Sequence, residues 1–342
     1  MNFYWIVPLL AGVSFALTAG LRRYALARSL MDVPNDRSSH SVPTPRGGGV
    51  AIVLSYIVAL CMLYGCGLMS SDTFIAFLGV GSVTAVIGFL DDHGHIAARW
   101  RLLAHFLSAG WGVYWLGGLA PFALFGFSID PGWIGHFLAV VYLVWMLNLY
   151  NFMDGIDGIA SLEAITVCFG GVLIYWFSGN SDLAWPAVLL AACVAGFLCW
   201  NFPPAKIFMG DAGSGFLGVV LGLLSLQAAW IAPDLLWGWL ILLGVFIVDA
   251  TFTLLRRLLR GDKVYEAHRS HAYQFASRSH GGHMPVALAV CLINLLWLMP
   301  IAIGVVLYKW DGAFALILAY LPLVWLAVRY EAGRLEGRTS NN

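Results

Sequence analysis

Long apolar runs recur from end to end of this chain, and they restrict its fold more than any other feature. A helix needs about 20 mostly apolar residues to cross the hydrocarbon core of a bilayer. Apolar runs of suitable length lie near residues 3–21, 48–66, 73–90, 102–118, 133–149, 159–177, 184–200, 213–231, 235–255, 285–307 and 313–329. Only 11% of the 342 residues are charged, against roughly 25% in soluble domains, which is too few to cover a water-facing surface. The sequence therefore predicts an all-α polytopic membrane protein with eleven transmembrane helices, one for each run.

The basic residues sort to one side of this topology. If the N-terminus is outside, all of the 18 Lys and Arg residues except Lys309 fall on the other side. Cytoplasmic loops carry an excess of Lys and Arg, so we expect an outside N-terminus and a cytoplasmic C-terminus. The first run is followed by Arg22, Arg23 and Arg28 and preceded by no basic residue, the reverse of a secretory signal, so we expect no cleavage.

Three further features narrow the class of protein. The net charge is zero and there is no block of Lys or Arg, which excludes a basic nucleic-acid binder. The six cysteines lie within or at the ends of apolar runs without a CxxC pair, and we interpret them as small apolar residues. With no internal repeat or break in composition, residues 1–342 are expected to form one integral membrane domain.

Five aspartates lie at predicted cytoplasmic helix ends. Charge at membrane level is costly and by default suggests function. Asp91 and Asp92 follow the third run, Asp154 and Asp157 follow the fifth, and Asp211 precedes the eighth. Helix ends on one face of a compact bundle can converge, so we expect a single shallow site at the bilayer surface.

The adjacent pair Asp91 and Asp92 cannot perform one identical role, because neighbouring side chains on a helix diverge by about 100°. One can hold a metal while the other acts as a base or a supporting partner. The alternative is a solvated helix end paired with Arg99 or Arg101.

The segment NFMDGIDGIA places Asp154 and Asp157 three residues apart, where they would share a helix face, with Asn151 extending the same polar stripe. Gly155 and Gly158 let a ligand or backbone approach closely. The alternative is a helix N-cap for the sixth span, which Asp157 could supply.

The segment before the eighth run is rich in glycine. Backbone N–H groups at a helix start bind phosphate well. Asp211 would repel a phosphate there unless a divalent cation stands between them, and Mg²⁺ is usually held by one or two carboxylates plus substrate phosphates. Lys206 adds a cation on the same loop.

Histidines and arginines dominate two other polar connections. His268 and His271 flank Arg269 between the ninth and tenth runs, where basic neighbours favour an anion over a zinc ion. Arg46 lies in the first polar connection, which could instead be a solvated basic loop. His105, within the fourth run, is expected to be a satisfied packing residue.

At these positions the sequence resembles the polyprenyl-phosphate N-acetylhexosamine-1-phosphate transferases, the glycosyltransferase 4 family that includes the phospho-MurNAc-pentapeptide translocase. The matching segments occur in family order and span nearly the whole chain. They are PTPRGGG at 43–49, the Asp91-Asp92 pair, NFMDGIDGIA at 151–160, PPAKIFMGDAGSGFLG at 203–218 and HRSH at 268–271. The short length and the HRSHAYQ form look most like bacterial O-antigen initiating transferases, although HRSH departs from the HxHH pattern of some relatives.

The resemblance implies a reaction at the cytoplasmic face of the bacterial inner membrane. A UDP-N-acetylamino sugar and undecaprenyl phosphate would give undecaprenyl-diphospho-sugar and UMP, with Mg²⁺ or alternatively Mn²⁺ as cofactor. No nucleic acid would take part, and a homodimer is compatible with the sequence.

The resemblance also implies roles for the acidic residues. Asp211 would bind Mg²⁺ together with Asn151, and Asp92 would lie at or near the metal. Asp91 would be the base that deprotonates the lipid phosphate. Attack by an aspartate, through a covalent aspartyl intermediate, is the competing mechanism.

The remaining candidates would bind the substrates. Their implied contacts are the nucleotide for Asp154 and Asp157, the uracil ring for Phe208, and the diphosphate or sugar for His268, Arg269 and His271. Arg46 and Lys206 are further substrate-binding candidates.

Two rival functions have different signatures. A transporter would place its carboxylates at mid-membrane on broken helices, often in repeated halves, whereas only Asp249 is expected inside a run. An aromatic prenyltransferase also uses aspartates and Mg²⁺, but its aspartate-rich motifs follow an NDxxD type of pattern that these segments do not match.

Overall fold

The computed structural model describes residues 3–34, 39–94, 96–262 and 268–334, most of which are helical. In chain order the helices are α1 (Ile6–Ala27), α2 (Val50–Gly65), α3 (Ser71–His93), α4 (Ala98–Leu116), α5 (Gly132–Met153), α6 (Ile159–Phe177), α7 (Trp185–Asn201), α8 (Asp211–Ile231), α9 (Pro233–Leu242), α10 (Gly244–Arg260), α11 (Ala272–Ser279), α12 (His283–Ile293), α13 (Met299–Tyr308) and α14 (Gly312–Arg329). A π-helical segment, Asn294–Leu298, joins α12 to α13, and short 3₁₀ turns cover Phe3–Trp5 and Ser181–Ala184.

Two small antiparallel hairpins complete the secondary structure. Strand β1 (Met31–Asp32) pairs with β2 (Thr44–Pro45) between α1 and α2. Strand β3 (Phe122–Leu124) pairs with β4 (Phe127–Ile129) between α4 and α5. The first hairpin lies at the end of the bundle that carries the aspartates, which we call the site face.

Helix α8 is the centre of the bundle. It packs most extensively against α5 and α3, and every residue from Ala212 to Leu226 is buried. A helix that is apolar all round must be enclosed by others, and α8 has that pattern. Its first residue, Asp211, is therefore held at the middle of the site face.

Glycines let the helices around α8 approach with their backbones in contact. A Cβ atom placed on Gly49 would lie 2.4 Å from Gly213 Cα, and one placed on Gly88 would lie 2.5 Å from Ala212 N. These distances leave no room for a side chain, so α2 and α3 pack directly on the first turn of α8.

The predicted all-α polytopic fold agrees with the structure. Each apolar run overlaps a helix, and eight of the described helical segments are long and apolar enough to cross a membrane, or nine if one bent pair counts as a span. The count of eleven spans and the orientation of the termini stay predictions.

The ninth run differs from its expected form. Instead of one helix over 235–255, α9 and α10 meet at Leu243 with a bend of 68°. The Tyr320 hydroxyl donates to the Leu240 carbonyl at 2.6 Å, which satisfies one acceptor near the break. The bend directs α10 toward the site face.

Candidate functional site

The ends of α3, α5 and α8 converge on one cavity of about 420 Å³ at the site face. Its walls also include the first polar connection, the loop before α11 and the start of α12. The predicted site residues that line it are Arg46, Asp92, Asn151, Asp154, Asp157, Phe208, Asp211 and His268. Segments far apart in sequence thus form a single site, as the clustering of aspartates at helix ends predicts.

Asp92 caps the first turn of α8. Its carboxylate accepts hydrogen bonds from the backbone N–H groups of Asp211 at 3.3 Å and Ala212 at 3.4 Å. Its carbonyl oxygen accepts from the Arg46 guanidinium. The expectation that this helix start leaves its N–H groups for phosphate is wrong for these two, because Asp92 uses them.

Asp91 points to the other side of α3, as adjacent helical residues must. Its carboxyl contacts the Arg101 guanidinium and accepts from the Ile96 N–H at 2.9 Å. Arg101 is also 3.7 Å from Asp211, and the Asn151 amide nitrogen donates to the Ser214 hydroxyl at 3.2 Å. The sequence offered an ion pair between Arg101 and this end of α3 as the alternative to a functional role. The ion pair is present, but Arg101 also lies near Asp211, so the pair is part of the aspartate cluster and not a solvated helix end.

Asp154 and Asp157 sit in contrasting surroundings. Burial, and then the negative charges of Asp211, Asp157 and Asp92, raise the pKa of Asp154 well above its usual value. Burial would also raise the pKa of Asp157, but hydrogen bonds from the His283 ring and the Ala205 N–H outweigh it, and the pKa is lowered.

His283 binds two separate segments of the site. Its Nδ1 lies 3.2 Å from Asp157 Oδ1, and its Nε2 lies 3.0 Å from the Ser39 carbonyl oxygen. Asp157 also accepts from the Ala205 N–H at 3.0 Å. The N-cap of α6 is Gly158, in the left-handed region at φ 75°, so the alternative role of Asp157 as a helix cap is wrong.

Backbone pairing places Phe208 beside the first polar connection. The N–H of Phe208 donates to the Pro45 carbonyl at 2.8 Å, and the N–H of Gly48 donates back to the Phe208 carbonyl at 2.9 Å. The His40 ring meets the Phe208 ring edge-on, with centroids 4.8 Å apart. A second cavity, of about 500 Å³, shares the walls formed by Phe208, His40 and His283.

The loop before α11 contributes His268 to the wall of the main cavity, but not Arg269 or His271. Burial, followed by the charges of His271 and Arg257, lowers the pKa of His268 to about 3, so the ring is neutral near pH 7. Ser270 N–H donates to His268 Nδ1 at 3.4 Å, which leaves Nε2 to carry the proton. Arg269 lies outside the walls of both described cavities.

His271 serves the structure of the loop. It is only 3% exposed and lies outside the walls of both described cavities. Its Nδ1 lies 3.3 Å from Asp249 Oδ1, and its ring packs against that of His268 with centroids 4.9 Å apart. The placement therefore differs from a direct phosphate contact, because Asp249 draws the ring away from the cavity.

Lys206 also lies apart from the described cavity walls. It is exposed, its ammonium lies over the Trp200 ring at 5.6 Å, and its carbonyl accepts from Arg22 at 3.1 Å. The loop that carries it turns the side chain outward at the rim.

Several residues of the site were not among the predicted site residues. Gln274 and Ser214 line the main cavity with His283 and His40. His105 borders a small space beside Asp91 and Arg101, and its Nδ1 has no hydrogen-bond partner among the described residues, so it is not the satisfied packing residue expected. A signal for His283 was present in the sequence as a histidine after two glycines, at the start of an apolar run.

The atoms at the centre of the site that could coordinate a metal ion are oxygens. Asp211, Asn151, Asp91 and Asp92 supply carboxylate and amide oxygens, which suit a hard cation such as Mg²⁺. Within the described ranges, no group of three or more His, Cys, Asp or Glu side chains is close enough to hold a metal alone. A cation held by one or two carboxylates and completed by phosphates needs no such group, so the residues fit Mg²⁺ bound together with a phosphate substrate.

Known proteins resemble this chain over most of its length. Residues 74–229 match the family described as glycosyl transferase family 4. A protein of Bacillus subtilis, named a probable undecaprenyl-phosphate N-acetylglucosaminyl 1-phosphate transferase, is 30% identical over 291 residues, 82% of this chain and 79% of that protein.

Two more relatives have related names. An undecaprenyl-phosphate alpha-N-acetylglucosaminyl 1-phosphate transferase of Thermotoga maritima is 28% identical over 289 residues, 84% of this chain and 87% of that protein. A phospho-N-acetylmuramoyl-pentapeptide-transferase of Streptococcus pyogenes is 27% identical over 238 residues, 66% of this chain and 69% of that protein.

Proposed function

This chain belongs to glycosyl transferase family 4 and is a membrane-bound polyprenyl-phosphate sugar-phosphate transferase, and we propose that its donor is a UDP-N-acetylamino sugar and its acceptor undecaprenyl phosphate. The products are undecaprenyl-diphospho-sugar and UMP. We place this step at the start of O-antigen or related surface polysaccharide synthesis, at the cytoplasmic face of the bacterial inner membrane.

The observation that carries the proposal is the convergence of four aspartates, Asp92, Asp154, Asp157 and Asp211, on one cavity beside a second cavity walled by Phe208. Two adjoining spaces suit a donor with two parts. The diphosphate would lie over the aspartates, and the uracil would stack on Phe208 in the second space. Asp157, fixed by His283, would bind the nucleotide at the junction.

The proposed transfer forms one bond and breaks one. An oxygen of the lipid phosphate attacks the phosphorus that carries the sugar. The bond from that phosphorus to the bridging oxygen breaks, and UMP leaves with the bridging oxygen. Such reactions are catalysed chiefly by positioning and by neutralising charge.

We assign the metal site to Asp211, Asn151 and Asp92. When bound, Mg²⁺ would neutralise the charge of the diphosphate and polarise its oxygens. Among the chain's own residues, the Ser214 hydroxyl orients the Asn151 amide, and the N–H groups of α8 orient Asp92.

Asp91 is the proposed base for the acceptor phosphate. It lies at the side of the cluster, held by Arg101, whose guanidinium would also attract the acceptor phosphate. The covalent alternative assigns a nucleophilic role to an aspartate and predicts an aspartyl phosphosugar that forms without acceptor.

Orientation follows from the distribution of charge. With the N-terminus outside, the site face and nearly all Lys and Arg residues are cytoplasmic, where UDP-sugars are made. The single integral domain and eleven spans complete this proposed topology.

The test uses purified full-length protein in detergent with Mg²⁺, undecaprenyl phosphate and UDP-N-acetylamino sugars tried separately. We expect UMP and a labelled lipid product with at least one donor, and much less with UDP-glucose as the matched donor without the acetamido group. Release of UMP without lipid phosphate, or no release with any donor, would contradict the proposal.

A further inference from the structure

A second acidic residue lies inside the bundle, away from the site face. Glu163 is fully buried one turn into α6, so Asp249 is not the only acid within a predicted run. The Asn294 amide nitrogen donates to Glu163 Oε2 at 2.6 Å and to Thr166 Oγ1 at 2.8 Å. Asn294 is itself fully buried and begins the π-helical segment, a rare distortion that often marks functional positions.

The hydrogen bonds of this pair are incomplete unless a proton is present. Glu163 Oε1 and Asn294 Oδ1 are both buried acceptors, and neither has a partner within the described residues. A neutral carboxylic acid supplies a donor that a carboxylate lacks. A buried polar group without a partner is costly in the membrane interior, so the pair demands this donor.

The two segments that carry the pair also pack against the break between α9 and α10. A Cβ atom placed on Gly170 of α6 would lie 2.4 Å from Leu242 Cδ2 at the end of α9, and one placed on Gly244 would lie 3.4 Å from Leu298 Cδ1 of the π-helical segment. First-turn N–H groups have no acceptor within their own helix, so a break inside a membrane depends on the helices packed around it. Regular backbone bonding resumes when Ile247 N–H donates to the Leu243 carbonyl at 3.1 Å.

Helix α10 connects this break to the site. Asp249 lies within two turns of the break at Leu243, and its carboxylate accepts from the N–H groups of Ala272 at 2.9 Å and Tyr273 at 3.0 Å. It thereby caps α11 and also holds His271, against which His268 packs. A change in the direction of α10 would therefore move the loop that brings His268 to the cavity.

We propose that Glu163 and Asn294 form a neutral acid–amide pair that fixes the bend between α9 and α10, and that both are positioning residues for His268. Neither side chain lines the cavity of the site. The effect on catalysis rests on the proposed function, whereas the effect on the position of His268 does not.

The test compares Glu163→Gln with Glu163→Ala and Asn294→Ala in full-length protein. Gln keeps the shape and supplies an N–H donor in place of the acid proton, so it should retain kcat within about threefold and the pH profile of the original chain. The Ala variants leave buried groups unpaired and should lower kcat about tenfold or more, with a smaller change in the KM for the donor.

A chemical readout makes the test independent of activity. Diethyl pyrocarbonate modifies histidine, and peptide mass spectrometry can follow His268 separately. We expect the rate of His268 modification to change severalfold in both Ala variants and to match the original chain in Glu163→Gln. His136, exposed near the start of α5 and far along the sequence from the pair, is the internal control and should not change. Ser225→Ala, at another fully buried polar residue, is the matched control variant.

Two outcomes would overturn the proposal. Equal loss in Glu163→Gln and Glu163→Ala would mean that the negative charge matters, not the neutral pair. Unchanged His268 modification in folded Asn294→Ala would mean that the pair does not position the loop. If the original chain releases no UMP with any donor, the proposed function fails, but the modification rates still decide this question.

Discussion

The protein handles buried acid groups in two opposite ways. At the site face, several aspartates lie close together, and burial followed by the negative charges of Asp211, Asp157 and Asp92 raises the pKa of Asp154. Inside the bundle, Glu163 has amide and hydroxyl neighbours and no ion pair within the described part of the chain. The first region accumulates negative charge that a cation can relieve, whereas the second avoids charge.

This difference separates the two kinds of role. Clustered carboxylates are unfavourable without a counter-ion, so their persistence at a cavity indicates binding. A neutral acid in the interior that is hydrogen-bonded to its neighbours needs no counter-ion, which suits a structural role. Substitutions that remove charge but keep shape should therefore be severe in the first region and mild in the second.

The largest effect is expected from Asp211→Asn. Loss of this carboxylate removes a proposed metal ligand, and metal-assisted charge stabilisation contributes several kcal/mol, so UMP release should fall at least about a hundredfold. The assay is initial-rate UMP release with folding checked by size-exclusion chromatography. Asp72→Asn, at the opposite end of α3, is the matched control and should retain full activity. An active Asp211→Asn protein would remove the metal assignment.

Metal removal tests the same cluster without mutation. EDTA should abolish UMP release, and Mg²⁺ or Mn²⁺ should restore it. Because a ligand that binds the folded state raises the unfolding midpoint, Mg²⁺ with UDP should stabilise the original chain in a thermal assay and leave Asp211→Asn unchanged. Equal stabilisation of both proteins would place the cation elsewhere.

An intermediate effect is expected from His283→Ala. The change leaves the half-buried Asp157 carboxylate without its imidazole partner and frees Ser39 from α12. An unsatisfied group of this kind costs about 1–3 kcal/mol, so the KM for the donor should rise about tenfold with a smaller fall in kcat. Steady-state kinetics over donor concentration measure this, with His93→Ala on the exposed end of α3 as control. An unchanged KM would separate Asp157 from nucleotide binding.

The smallest effect is expected from Thr166→Val. The hydroxyl is one of two acceptors for the Asn294 amide, and valine keeps its shape. Loss of one hydrogen bond should reduce stability by about 1 kcal/mol and kcat by less than about twofold. Thermal unfolding and UMP release check both values. A loss as large as that of Asp211→Asn would erase the contrast between the two regions.

The helices and the grouping of the aspartates could be predicted because they depend on local composition. Apolar runs determine where helices lie, and alternation of direction determines which ends share a face. Asp92, Asp154, Asp157 and Asp211 reach one cavity for that reason.

Pairings between distant segments could not be predicted in the same way. His283 meets Asp157 across 126 residues, and Asp249 contacts the start of α11 from α10, which lies at 68° to α9. No proline stands at the break, and the contacts there come from distant segments, such as Tyr320 on α14 and Leu298 of the π-helical segment. His271 was expected in the cavity because it shares a motif with His268. Only three residues separate them, yet His268 lines the cavity and His271 contacts Asp249.

The glycine contacts beneath the site also limit how such an enzyme can diversify. Gly49 and Gly88 press on the first turn of α8 without side chains, so no substitution there can reshape the pocket without separating the helices. New donor preferences must therefore arise at the rim, in the loops that carry His40, Phe208 and His268. The packed ends of α2, α3 and α8 beneath the site would therefore stay constant among related enzymes, while the loops at the rim vary.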